Sequence, residues 1–364
     1  MALFLGSCSA PAGNASSTGV RLGPSPLWSN RLSTSASYTP PLVTSGTVFT
    51  LQLGEIRAIR LTNPGSVSWT TRVAGADIAG ASNLVFRHGV LLLASMGSAA
   101  IRGSTGEVLW ANPSPSLRYQ AGYADADSVR FIVPRGDGRV VAFEITSGAE
   151  LWNTPVASCA FGCALSGVSI AGDTVYATGI VKGQPGVGQE GLVIAALDRL
   201  TGTLLWSVVD STLGGGINTP PVVAGSVLLV GSSQGWYFGA YDRFARTWSW
   251  RRRAVDGGPY QRIGVAGDTL VLTGADPVIY LLNRATGASY VEGRTRGSMY
   301  EAQFCGRYVI AMSPELRWFD KRDGRLLAAR LPDDGGFTRA LTVSGDTALV
   351  ITSQGSVVAY PCTP

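Results

Sequence analysis

The chain has 364 residues, a formal net charge of +5, 45% hydrophobic and 15% charged residues, 47 Gly and 19 Pro. That apolar content argues against a disordered chain, so modest a charge without a basic module argues against nucleic-acid binding, and no run reaches the ~18 apolar residues of a transmembrane helix. Many short strands joined by tight turns suit the Gly and Pro content.

The chain opens Met-Ala-Leu-Phe-Leu-Gly-Ser-Cys. Leu5-Gly6-Ser7-Cys8 resembles the lipobox of bacterial lipoproteins, which implies acylation of Cys8 after signal cleavage. Only seven residues precede Cys8, whereas a secretory signal needs a basic region and an apolar stretch of about 7–15 residues, so the start is expected to lie further upstream. Residues 1–8 are therefore read as a truncated signal with its lipobox. Residues 9–24, rich in Ser, Gly, Ala and Pro, are read as a flexible tether, and residues 25–364 as a single domain.

Within that domain one pattern recurs eight times: a small turn followed by a β-branched apolar run. It begins at Ser45, His88, Ala126, Ala171, Ala224, Ala266, Cys305 and Ser344. Gly beside Asp, Ser or Asn tolerates the positive φ of a tight hairpin, and the apolar run beyond it reads as a buried strand. Each copy marks one hairpin.

A second signature is a strand ending in Ala-x-Asp, a Thr-Gly turn, and a tryptophan four residues after the glycine. Ala196-Leu-Asp-Arg-Leu-Thr-Gly-Thr-Leu-Leu-Trp206 is complete; near copies run from Ala100 to Trp110, from Ala142 to Trp152, from Ala58 to Trp69 with one extra residue, and from Ala240 to Trp250 without the glycine. Degenerate copies follow at Leu281 to Val291 and Trp318 to Ala328. These residues resemble the tryptophan-docking motif of the PQQ-type propeller repeat. The resemblance implies an all-β propeller of four-stranded antiparallel blades, in which each indole packs across the neighbouring sheet and its N–H finds a partner. Residues 337–361 supply three strands of a blade, and Trp28 looks like an orphan fourth strand. Pairing these ends closes eight blades without an open sheet edge; seven blades is the alternative if Trp28 belongs to the tether. Trp28, Trp69, Trp110, Trp152, Trp206 and Trp250 are read as blade-docking residues rather than ligand stackers. The Arg251-Arg252-Arg253 run beside Trp248 and Trp250 is read as a solvated outer strand.

Departures from a repeat are where recognition usually sits. The longest gap between successive docking tryptophans, from Trp152 to Trp206, contains an insertion over residues 179–190 between the second and third strands of the fourth blade. Lys182, Gln184, Gln189 and Glu190 are its candidate partner-binding residues. Cys159 and Cys163 lie in the preceding interblade connection, on the same face by propeller topology. An exported protein would tend to pair its cysteines. Cys159 with Cys163 is the local choice, leaving Cys305 with Cys362 toward the other face in adjacent blades. Three pairings of four cysteines stay open, as do free thiols in a reducing compartment, and Cys-x3-Cys without histidine is poor zinc spacing.

The enzymatic relatives of this repeat, the quinoprotein alcohol dehydrogenases, imply a quinone cofactor, calcium, a catalytic aspartate and adjacent cysteines. This chain has no adjacent cysteines and one histidine, His88, in a turn, while Asp198 and Asp242 belong to the structural repeat. Asp125, Asp127, Asp333 and Asp334 read as polar turns. The expectation is a non-enzymatic monomer without cofactor or metal. An exported, lipid-tethered propeller of this length resembles the BamB-type outer-membrane assembly lipoproteins. That resemblance implies a bacterial envelope location, facing the periplasm or the surface, and a scaffold that binds the outer-membrane barrel-assembly machinery. A quinone-dependent dehydrogenase and a ligand-binding sensor lipoprotein are the alternatives.

Overall fold

A computed structural model of the chain describes residues 20–33, 39–74, 81–113, 122–157, 162–182, 190–213, 219–232, 237–253, 263–273, 278–294 and 301–364. These residues form eight sheets, each built around consecutive antiparallel strands, and no helix. Blades 1 to 7 span residues 42–72, 84–112, 125–155, 163–210, 222–253, 264–294 and 301–330; blade 8 takes three strands from residues 338–361 and its fourth from Trp28–Arg31. Trp28 pairs with Ala359 and Arg31 with Ser356. The ring is an eight-bladed β-propeller with a three-plus-one seam, and the seven-blade alternative is excluded.

The core lies between blades rather than inside any one of them. Second and third strands carry near-continuous apolar runs, such as Thr174–Val181 and Gly191–Asp198 in blade 4, because both of their faces are covered by neighbouring sheets. Fourth strands alternate exposed and half-buried residues along the rim, as Leu204–Asp210 does. The innermost strands are joined by side chains that imitate a strand. Asn83 donates to the carbonyl of Ala124 at 2.9 Å and accepts from its N–H at 3.0 Å. Gln303 likewise donates to Leu341 O at 3.1 Å and accepts from Val343 N–H at 3.0 Å. An amide side chain holds both a donor and an acceptor, so a single residue replaces one rung of a ladder.

The tryptophan motif acts through register. Ala58, Ala100, Ala142, Ala196 and Ala240 are the direct cross-strand partners of Trp69, Trp110, Trp152, Trp206 and Trp250, and Ala359 faces Trp28. Opposed residues share a face only about 5 Å apart, so alanine leaves room for the indole to lie over the strand. The indole N–H groups of Trp69, Trp110, Trp152 and Trp250 then donate to Gly103, Ile145, Arg199 and Arg284 carbonyls in the next blade, at 2.7 to 3.2 Å. Under the rings lie Gly106, Gly148, Gly202 and Gly287, each with φ near +70°, where a Cβ would stand 2.4 to 2.6 Å from the ring. Both the conformation and the space demand glycine.

Two blades depart from this scheme. In blade 5 the glycine position holds Arg246, at φ 57°, whose guanidinium carbon lies 5.7 Å from the centroid of the Trp206 ring. Trp206 also packs against Tyr176 and Tyr241, both with centroids at 6.2 Å. In blade 7 the pair is reversed: Trp318 stands on the third strand and Ala328 on the fourth. The exchange conserves volume, and the indole still reaches forward, donating to Pro361 O in blade 8 at 3.2 Å. Trp318 is completely buried.

Reversal leaves the rim of blade 7 low, and the N-terminal segment fills it. Arg21–Leu22 pairs in parallel with Ala328 and Ala329 as a fifth strand. Gly23 N–H then donates to Ala329 O at 2.9 Å, and Arg330 donates to Gly23 O at 3.0 Å. A Cβ on Gly23 would meet the Trp318 ring at 2.6 Å. The last residues of the stretch read as tether thus belong to the fold. The seam carries a second tie, a Cys305–Cys362 disulfide between blades 7 and 8 with Cα atoms 5.8 Å apart.

Carboxylates close many turns between third and fourth strands. Asp320 accepts from the backbone N–H of Arg322 at 2.9 Å and from its guanidinium at 3.1 and 3.2 Å, with Arg307 at 3.5 Å. The Arg322 contacts, assisted by Arg307, hold its pKa down to about 2 against the opposing effect of burial.

Four variants test this account. Trp318→Ala should lower unfolding stability by about 3–5 kcal/mol, the cost of a large aromatic deletion from a core, in denaturant titration. Gly202→Ala should cost about 1–2 kcal/mol or more, from the left-handed backbone and the contact with Trp152. Arg246→Gly, at the same place in blade 5, should stay within about 1 kcal/mol of the parent, because relieved backbone strain offsets the lost cation–π contact. A depressed carboxylate pKa stabilises the fold above its unfolded value of 3.8, and that stability is lost as pH falls through the folded value. Scanning calorimetry should therefore show the melting temperature falling more steeply from pH 4 to 2 in the parent than in Asp320→Asn, the two curves converging near pH 2.

Candidate partner-binding face

Blade 4 is the tallest sheet. Its first three strands, Cys163–Ala171, Thr174–Val181 and Gly191–Asp198, have nine, eight and eight residues, where the first three strands of blade 1 have three, six and six. The extra length lies at one end. Cys163 pairs with Val181, and Val181 with Gly191, so the hairpin rises past the ends of shorter blades before its connection begins. Gly179 makes that rise close-packed: a Cβ there would lie 2.4 Å from the Ala164 carbonyl oxygen. A register shift between Leu165 and Gly167 bends the strand, as an extra residue in one strand of a pair does.

The interblade connection and the hairpin loop meet at this end. Lys182 N–H donates to Gly162 O at 2.9 Å, which puts the two segments on one face. Lys182 is exposed, Glu190 half-buried and Cys163 buried. Cys163 is disulfide-bonded. Gln184, Gln189 and Cys159 lie outside the described residues, as does Cys8. Blade 3 supports the same face from beside it. Leu165 N–H donates to Arg135 O at 3.2 Å, Arg135 pairs with Asp137 at 2.7 Å, and Arg139 donates to the Asn153 side chain at 2.6 Å. These charges are mutually committed, so the supporting turn is held in shape by its own ion pair and hydrogen bonds.

The opposite face carries the Trp28 end of the seam strand, the turns between third and fourth strands, and the Cys305–Cys362 disulfide. There Asp127 accepts from the N–H groups of Val129 and Arg130 and pairs with Arg199 from blade 4 at 2.5 Å. Burial alone would raise its pKa; the backbone donors and Arg199 together lower it.

Between the inner strands of blades 1, 2 and 3 lies a hollow of about 320 Å³ lined by Leu42 to Thr44, Asn83 to Arg87, Ala124 and Asp125. Asp125 is its carboxylate. Burial raises the Asp125 pKa against backbone N–H donation from Ile170 and Ala126, and Arg87 stands at 3.5 Å. The residues do not fit a quinone cofactor of the kind the repeat name suggests. No two of the five cysteines are adjacent, and Asp125 is committed to joining blades 2, 3 and 4 through Arg87 and Ile170.

The insertion, the docking tryptophans and the missing glycine of the Ala240 copy were read from the sequence; the amide clamps of Asn83 and Gln303, the contact of Arg246 with Trp206 and the reversal at Trp318 were not. A signal for the last was present: Trp318 and Ala328 keep the ten-residue spacing of Ala142 and Trp152 with the residues exchanged.

A family model described as outer membrane protein assembly factor BamB matches residues 24–178 and 189–362. The BamB of Burkholderia pseudomallei (strain K96243) is 26% identical over 248 residues, which are 63% of this chain and 60% of that protein. The chain thus spans about three-fifths of that relative's length. Among solved structures, BamB from Moraxella catarrhalis superposes with a TM-score of 0.72 at 16% identity, covering 93% of this chain and 99% of that one. The quinohemoprotein alcohol dehydrogenase of Comamonas testosteroni gives 0.73 at 12% identity over 93% of this chain and 76% of its own. At such identities these likenesses speak for the fold alone, and the dehydrogenase shows that the fold does not carry the function. The match that leaves out only residues 179–188 between its two segments decides the family: the chain belongs to the outer membrane protein assembly factor BamB family.

Proposed function

We propose that this chain is a non-catalytic, exported propeller lipoprotein that scaffolds outer-membrane β-barrel assembly by binding a protein partner through the face of Lys182 and Glu190. The observation that carries the reading is the raised blade 4 hairpin, whose tip overlaps residues 179–188, which the family model skips, and whose base is fixed to the neighbouring interblade connection. A loop standing on a rigid sheet is how repeat scaffolds present a specific contact. Attachment through Cys8 would leave this face free, because the Trp28 strand begins on the other face. Periplasmic exposure at the outer membrane follows from the same reading, and so do a monomeric state and a Cys159–Cys163 pairing beside the loop.

The test expresses the chain with its native upstream region in a Gram-negative host, followed by cross-linking of the envelope and mass spectrometry. Barrel-assembly components should be recovered with the parent. They should fall at least about tenfold when Lys182→Glu and Glu190→Lys are combined, as expected for reversed charges at an interface, and should be lost from the outer membrane with Cys8→Ala. Recovery of no assembly component from a properly exported protein overturns the reading.

A further inference from the structure

On the face opposite the blade 4 loop, a groove of about 790 Å³ runs along the base of blade 7, its lining including Val20, Arg21, Arg307, Asp320, Arg322 and Arg325. Four of these side chains are arginines and one is an acid. Asp320 is already matched by Arg322 and Arg307, while the exposed guanidinium groups of Arg21 and Arg325 have no acidic partner among the described residues. An open groove with two uncommitted, outward guanidinium groups presents the donor forks that phosphate oxygens fit.

Two further observations say where that phosphate is found. Val20, just before the parallel strand, and Leu22 within it flank Arg21, and both are solvent-exposed, Leu22 at 79%. Aliphatic side chains interleaved with arginine are the pattern of a surface that lies in a lipid interface, apolar groups in the acyl boundary and cations at the headgroups. In addition, residues 1–19 leave the described fold at Val20, at the lip of the groove. An anchor in that segment would attach on the groove's side of the fold rather than on the side of the partner face. The eleven residues from Ser9 to Gly19 reach no more than about 40 Å when extended.

We propose that the Arg21–Arg325 groove is a docking site for the phosphate headgroups of anionic phospholipids, holding blade 7 against the membrane and the blade 4 loop away from it. The inference is separate from the scaffold reading, since it needs neither acylation nor a protein partner.

It is tested with the purified full chain carrying Cys8→Ala, so that no acyl chain contributes, by co-sedimentation with phosphatidylcholine vesicles with and without phosphatidylglycerol. The chain should partition onto the anionic vesicles, and Arg21→Gln combined with Arg325→Gln should weaken that partition about tenfold or more at low salt, given the usual contribution of each basic residue at a charged surface. Neither arginine makes an ion pair, so the melting temperature should be unchanged. Arg72→Gln, on the rim of blade 1, should bind as the parent does. Equal binding to both kinds of vesicle, or undiminished binding by the double variant, overturns the proposal. Inorganic phosphate binding in calorimetry with the same arginine dependence, but no vesicle binding, assigns the groove to a free anion and overturns the membrane source.

Discussion

Everything in this molecule depends on the contact between one blade and the next. A four-stranded sheet with two apolar faces cannot be stable alone, and here each buried face is satisfied only by its neighbour. The indole handed forward from blade to blade makes that contact directional. Its ring needs an alanine opposite and a glycine beneath, and its N–H needs a carbonyl in the following turn. Burial of apolar surface between sheets supplies most of the driving force, while these three requirements fix how each indole seats on the next blade.

The same logic explains why the blades tolerate change unevenly. Arg246 stands in the glycine's place in blade 5 with a left-handed backbone, its guanidinium carbon 5.7 Å from the Trp206 centroid. Trp318 and Ala328 can trade strands because the pair's volume and the forward donation are both kept. Neither exchange is free of consequence: the reversed pair opens the rim of blade 7, and the N-terminal strand lies there with Gly23 against the indole.

The architecture was legible in the sequence because repeated physics leaves repeated letters. Eight hairpin turns and a run of Ala-to-Trp spacings suffice to count blades, and Trp28 announced the seam. What was not legible were the unrepeated contacts. Asn83 and Gln303 are ordinary polar residues until the ring places them opposite a neighbour's backbone, and Arg21 sits in a composition that reads as linker. The face of Lys182 and Glu190 was visible as an irregular gap, yet the register that lengthens blade 4 beneath it depends on Cys163, Val181 and Gly191 finding one another.

The seam has a consequence in time. Arg31 is paired with Ser356, so the strand that completes the last blade is made well before its partner and must wait for all the blades between them. At about 5–20 residues per second of synthesis that interval is on the order of tens of seconds, during which blades 1 and 8 both show an unpartnered face. A topology closed by its most distant segments folds slowly and exposes edges meanwhile. The ring can close only after the C-terminal strands have joined the N-terminal one, so the seam is the last contact to form and the step that makes every earlier blade interface permanent.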